Sequence, residues 1–110
     1  MGKAIVEVES GICGFITKVV AQTDADGMLV RLAIDSQCGN IKGLARELME
    51  VDPMSILMGK AKDDPVFMAA ANHPVHHACP VPVGIIKAVE VAAGLALPRE
   101  ARIRVERGEE

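Results

Sequence analysis

The first third of the chain consists of short apolar, β-branched runs, and glycine-containing turns separate them. Residues 4–9, 15–20 and 28–34 are rich in β-branched side chains, which is typical of strands. An Asp26-Gly27 pair separates the last two segments, and its glycine supplies the positive φ that a hairpin turn needs. The pattern predicts three antiparallel strands.

After residue 35 the apolar period becomes that of an amphipathic helix, with a stripe made of Ile41, Leu44, Leu48 and Val51. Asn40 is a candidate cap for this helix. Asp52-Pro53 and Asp64-Pro65 each combine a capping carboxylate with proline at the first helical position, so they predict two short helices. Gly59 and Asn72 are their expected ends.

Pro80 and Pro82 begin a longer predicted helix, and Pro98 ends it. Its expected buried stripe consists of Val83, Ile86, Val89, Ala93 and Leu97. The prolines before it place His73 to Cys79 in a loop. The chain is thus expected to form one α+β domain over residues 1–98, a three-stranded antiparallel sheet with helices packed on one face. Residues 99–110 are a C-terminal tail or, because residues 102–106 alternate, a fourth edge strand.

The composition argues against several partners. The formal net charge is −3, the basic residues are scattered, and Phe15 and Phe67 are the only aromatic residues, so nucleic acid is not expected to bind. The N-terminal residues do not have the pattern of a secretory signal, and the apolar stretches are too short to cross a bilayer. We expect a cytoplasmic protein without a membrane partner. Methionines exposed on its surface would favour a homo-oligomer.

Cys13, Cys38 and Cys79 are the main candidates for chemistry. An odd number of cysteines in a reducing compartment argues against a disulfide framework. All three fall in predicted turns, Cys13 and Cys38 precede glycine, and Cys38 and Cys79 precede helices. A helix N-terminus stabilises a nearby thiolate, which is the form that binds metals and attacks electrophiles. A shared metal site, three separate core cysteines and thiol redox chemistry all fit this placement.

The histidines next to Cys79 suggest a fourth ligand. Tetrahedral zinc needs one ligand beyond three thiolates, and a neutral imidazole is a usual choice. His77 is the first candidate and His76 the second, although both also suit a solvated loop. An alternative makes Cys79 a nucleophile or persulfide carrier activated by His77. The aspartates are turn and cap residues, which favours a binding protein over an enzyme.

The order of these features resembles the U-type iron-sulfur cluster assembly scaffolds, the IscU-like family of the NifU N-terminal domain. The resemblance depends on Cys13-Gly14, Cys38-Gly39 and Cys79 in their local contexts. It implies a sheet with helices on one face and three cysteines that converge on an iron-sulfur cluster or zinc. It also implies a sulfur donor and cluster acceptor proteins as partners. On this basis we expect a scaffold-like cluster or metal carrier, with a structural zinc protein as an alternative.

Three positions depart from that family. Phe15 stands where the family has an aspartate that helps to keep the cluster labile, and Ala78 stands where it has a histidine. The segment Pro74-Val75-His76 preserves only half of the family's chaperone-docking segment.

Overall fold

The structure is a computed structural model that describes residues 2–109. Its elements, in chain order, are β1 (Lys3–Glu9), β2 (Ile16–Thr23), β3 (Val30–Ser36), α1 (Gly39–Glu47), β4 (Glu50–Val51), α2 (Pro53–Leu57), a 3-10 turn (Ala61–Asp63), α3 (Pro65–Ala71) and α4 (Val81–Ala92). Within residues 2–109, every helix is too short or too polar to span a bilayer.

The strands form one antiparallel sheet in the order β1-β2-β3-β4. In each long strand the alternating residues on one face are buried, as Val8, Val19 and Leu32 illustrate. The register places Val6 opposite Val19 and Val19 opposite Ile34, so the apolar rows align across the sheet. The other face is open, with Ile5 63% exposed. The helices therefore cover one face only, and the predicted α+β class is confirmed.

The fourth strand does not come from the tail. After α1 the chain turns back along β3, where Leu32 N–H donates to Met49 O at 2.8 Å and Val30 pairs with Val51. Val51 was expected on the helical stripe of α1, and it lies instead in β4. Val51 would be buried in either a helix or a strand at this position, so its apolar side chain did not distinguish the two. Residues 99–109 contain no strand.

Helix α4 packs across β1 and β2 and runs antiparallel to β1. A Cβ built on Gly84, near its start, would lie 2.4 Å from Val8 Cγ2, so the helix backbone lies directly on the end of β1. At the other end of the helix, a Cβ on Gly2 would meet the Ala92 backbone. These two contacts fix which end of the sheet each end of α4 reaches.

The predicted stripe of α4 was correct at Val89 and wrong at Val83 and Leu97, and the predicted end of the helix was wrong. Val83 and Leu97 are exposed, whereas the residues buried against the sheet are Val81, Pro82, Gly84, Ile85, Ala88, Val89 and Ala92. The helix stops at Ala92 because Gly94 adopts a φ of 75° and closes a Schellman turn. In this turn Leu95 N–H donates to Glu90 O and Gly94 N–H to Val91 O. Pro98 comes five residues after the C-cap, Ala93, and does not end the helix.

The short helices follow their predicted caps. Asp52 Oδ1 accepts from Met54 N–H at 2.9 Å, and the buried Asp64 Oδ1 accepts from Val66 N–H at 2.8 Å. Asn72 is the C-cap of α3 as predicted, whereas α2 ends at Leu57, before Gly59. Asn40 lies inside α1, and Cys38 occupies the N-cap position instead.

Candidate thiol site

Cys13 lies in the tight turn that joins β1 and β2. Ser10 N–H donates to Phe15 O at 3.1 Å and Gly14 N–H donates to Gly11 O at 2.9 Å, so the turn is closed by its own backbone. Gly11 and Gly14 have φ values of 91° and 73°, a region that glycine enters without steric cost. The Cys13 side chain is exposed at the tip of this turn.

Cys38 lies two residues after the end of β3 and directly before the start of α1. Its N–H donates to the Ser36 hydroxyl at 3.2 Å, and the buried Thr17 hydroxyl donates to that same oxygen at 2.8 Å. Its carbonyl accepts the first helical hydrogen bond, from Lys42 N–H. Cys38 is half-buried and packs against the hydrophobic core. The strand and the helix therefore hold its backbone from both sides.

Cys79 lies two residues before α4. Its N–H donates to His76 O at 2.9 Å, which closes a turn in the preceding loop. Pro80 then occupies the N-cap position of α4. The Cys79 side chain is half-buried and also packs against the core.

The topology brings the three cysteines to the same end of the sheet. The β1–β2 turn carries Cys13, and the register places Thr17 of β2 opposite Ser36, two residues before Cys38. Because α4 runs antiparallel to β1, with Gly84 over Val8, Cys79 lies at this end as well. We call this region, residues 10–15, 37–38 and 79–80, the hairpin end.

The side chains at the hairpin end do not form a ready-made coordination shell. Within the described chain, no group of three or more His, Cys, Asp and Glu side chains lies close enough to hold one metal ion. The sulfurs therefore share a region but are not within bonding reach of a common ion. The assignment of Cys13, Cys38, Cys79 and His77 as ligands stays a prediction.

The three histidines have different surroundings. His73 Nε2 lies 3.0 Å from Glu47 Oε1, and Asn72 Nδ2 donates to the other oxygen of the same carboxylate at 3.0 Å. His73 therefore links the end of α3 to the end of α1 and is already engaged. His76 and His77 are exposed in the loop before Cys79. This leaves both as candidates for a fourth ligand.

Two polar residues beneath the site were not recognised in the sequence. Thr17 and Ser36 are buried and hydrogen-bonded to each other across β2 and β3, and Ser36 also positions the Cys38 backbone. The alternation of the strands does place both on the core face. Their role depends on strand register, which the sequence pattern alone did not specify.

A surface groove of about 600 Å³ lies away from the cysteines. It is lined by the β2–β3 turn, the start of α2 and the segment after α4, with Met28, Leu29, Met54 and Leu95 as its largest apolar residues. The carboxylates of Asp24 and Asp52 in its wall accept backbone N–H groups of their own turns. Asp26 also lines the groove, and within residues 2–109 these carboxylates do not form a group that could hold a metal ion.

Comparison with known proteins corrects the family expectation. A family of unknown function, DUF6951, matches residues 4–105, which is nearly the whole chain. No curated protein and no solved structure gave a match. The family scan does not support the U-type iron-sulfur scaffolds, and the predicted membership of that family is wrong. Three cysteines in similar local contexts were too few residues to define it. The chain belongs to the family of unknown function DUF6951.

Proposed function

We propose that the protein is a thiol-dependent metal-binding module that holds zinc at the hairpin end through Cys13, Cys38 and Cys79. The main support is that three segments remote in sequence each present a cysteine at the same end of the sheet. Thiolates are preferred zinc ligands, and a site with three of them needs one further ligand to become tetrahedral. His77 is the proposed fourth ligand because it is exposed two residues before Cys79.

Binding requires a movement of the β1–β2 turn. Cys38 and Cys79 are fixed by the starts of α1 and α4, whereas Cys13 lies in a turn that contains two glycines at positive φ. Such a turn can change its backbone conformation at lower cost than a strand or a helix. In the proposed bound state, the turn closes and brings Cys13 to the two anchored thiolates.

Cluster assembly is not part of this proposal. That interpretation depended on the resemblance to the U-type scaffolds, which the family match overturns. A single catalytic Cys79 also has less support than a shared site. Cys13 is the exposed thiol, and Cys79 is half-buried against the core.

Calorimetric titration of the reduced protein with zinc tests the proposal. We expect one zinc per chain, and we expect Cys13→Ser, Cys38→Ser and Cys79→Ser each to weaken binding by at least about tenfold, because each removes a ligand. Gln37→Ala is the matched control, since Gln37 is exposed beside Cys38. Binding that is absent, or that depends on only one cysteine, would contradict a shared site.

Thiol alkylation offers a second readout. Stoichiometric zinc should protect all three cysteines from a maleimide together, because a ligated thiolate does not react freely. Without zinc, we expect Cys13 to react first because it is exposed. Mass spectrometry of the labelled peptides measures each site. Zinc that protected Cys79 alone would support the alternative of one reactive thiol.

A further inference from the structure

The outer edge of β1 offers backbone groups for another strand. Within residues 2–109, the sheet order places β1 at one side with β2 as its partner. The bonds Ser10 N–H to Phe15 O and Thr23 N–H to Gly2 O belong to the same register, in which paired residue numbers sum to 25. Even-numbered residues of β1 therefore point their N–H and C=O groups at β2. By the alternation of an antiparallel ladder, Lys3, Ile5, Glu7 and Glu9 point theirs outward.

The two faces of this edge have different chemistry. Val6 and Val8 lie on the core face under α4, and Val6 is only partly covered. Glu7 and Glu9 are exposed on the open face. A strand that completed this edge would place apolar side chains beside the valines and basic side chains beside the glutamates.

The C-terminal arm, residues 99–109, alternates basic and apolar residues over positions 102–105. It is exposed along its length and does not pack onto its own domain. Ile103 and Val105 are 81% and 88% exposed. Arg102 lies 3.7 Å from Glu100, and Arg104 lies 3.8 Å from Glu106. Ion pairs between residues two apart place these charges on one side of an extended chain. The apolar Ile103 and Val105 then face the other side.

The family pattern includes most of the arm. The family match continues through residue 105, well beyond the end of α4 at Ala92. An exposed segment with two large apolar residues that belongs to the family pattern suggests a binding role.

We propose that the C-terminal arm of one copy adds an antiparallel strand to the free β1 edge of a second copy. The matching register pairs Glu9 with Arg102 and Glu7 with Arg104 on the open face. On the core face it pairs Val8 with Ile103 and Val6 with Val105. Opposite charges and apolar side chains both match in this register. In this arrangement the outward N–H and C=O groups of Glu7 and Glu9 form backbone hydrogen bonds with the arm.

The direction of the arm favours a second copy over the arm's own domain. The end of α4 lies beside Gly2, at the start of β1. The charge-matched register instead begins at Glu9, at the opposite end of the strand. A second copy can supply the arm from that side, and reciprocal exchange gives a closed two-fold dimer. This inference does not depend on zinc binding.

Sedimentation of the full chain and of a variant without residues 99–110 tests the dimer. The full chain should sediment as a dimer and the shortened chain as a monomer, and the helical circular dichroism signal should be the same in both because the arm contains no helix. Glu7→Arg should raise the dimer dissociation constant by about tenfold, since two copies each lose one pair. Combining it with Arg104→Glu should restore the dimer. A monomeric full chain, or a dimer that the shortened chain still forms, would overturn the proposal.

Disulfide trapping tests the register in a background in which the three native cysteines are serine. Glu7→Cys with Arg104→Cys should give a dimer on a non-reducing gel, because directly opposed residues lie about 5.5 Å apart, within disulfide range. Glu7→Cys with Ile103→Cys is the matched control, since Ile103 faces the other side, and it should remain uncrosslinked. Crosslinking within one chain would identify the arm's own domain as the partner. A dimer from Glu7→Cys alone would identify pairing of two β1 strands. Either result, or equal crosslinking in the control, overturns the proposal.

Discussion

The interface between α4 and the sheet and the hairpin end are built in different ways. Under α4, Val19, Ile85 and Val89 are fully buried, and Gly84 brings the helix backbone onto β1. At the hairpin end, Ile12 and Cys13 are exposed and the backbone bonds close a local turn. The difference indicates that the α4 interface supplies stability, whereas the β1–β2 turn at the hairpin end can change conformation without unfolding the domain.

The largest expected effect on stability comes from creating a cavity in the α4 interface. Ile85→Ala should lower the free energy of unfolding by about 2–5 kcal/mol, because Ile85 is fully buried and its removal leaves a cavity. Ile12→Ala, at the exposed tip of the β1–β2 turn, should change it by less than about 0.5 kcal/mol. Urea denaturation measures both. Equal losses would remove the distinction between the two regions.

A larger side chain in the same interface should have the next largest effect on stability. Gly84→Ala places a Cβ 2.4 Å from Val8 Cγ2, and Val8 is a stiff β-branched residue buried under the helix. The clash should cost about 1–3 kcal/mol and outweigh the gain of about 1 kcal/mol from replacing a helical glycine.

The control for this substitution is Gly39→Ala at the start of α1. Within the described residues, a Cβ on Gly39 would meet no atom within 4 Å. Its effect on the midpoint of thermal unfolding should be small. A stabilised Gly84→Ala protein would show that α4 packs less closely on β1 than the structure indicates.

Ser36 lies at the boundary between the two regions, so its substitution should affect both stability and binding. Ser36→Ala removes the acceptor of the Thr17 hydroxyl and the Cys38 N–H, which should cost about 1–2 kcal/mol of stability. Zinc binding should weaken by about tenfold, because Cys38 loses its positioning. Unfolding and zinc titration together test this. Normal zinc affinity would show that Ser36 supports only the sheet.

The smallest expected effect on stability is at Cys13. Cys13→Ser should change the free energy of unfolding in the absence of metal by less than about 0.5 kcal/mol, since the side chain is exposed. The same variant should lose the stabilisation that zinc gives to the wild type. Thermal unfolding with and without zinc measures this. A variant that zinc still stabilised fully would exclude Cys13 from the site.

Strands and caps were predictable because their signals are local. Short β-branched runs identified the first three strands, and Asp52 and Asp64 cap their helices through their own neighbours. Helix α4 was predicted less well because it is apolar nearly all around, so several stripes fit its sequence. Only its contact with β1 through Gly84 selects one of them.

The candidate site was predictable to the level of topology. The turns and helix starts suggested that Cys13, Cys38 and Cys79 belong together, and all three do lie at one end of the sheet. The distances between their sulfurs depend on loop conformations, which no residue pattern specified. The family resemblance failed for a related reason, since cysteine spacing constrains only a few positions of the chain.

The most direct test of a shared thiol site is zinc K-edge X-ray absorption of the protein loaded with one equivalent of zinc. The account predicts three sulfur neighbours at about 2.3 Å and one nitrogen neighbour at about 2.0–2.1 Å. A first shell of only oxygen and nitrogen, or of a single sulfur, would contradict it.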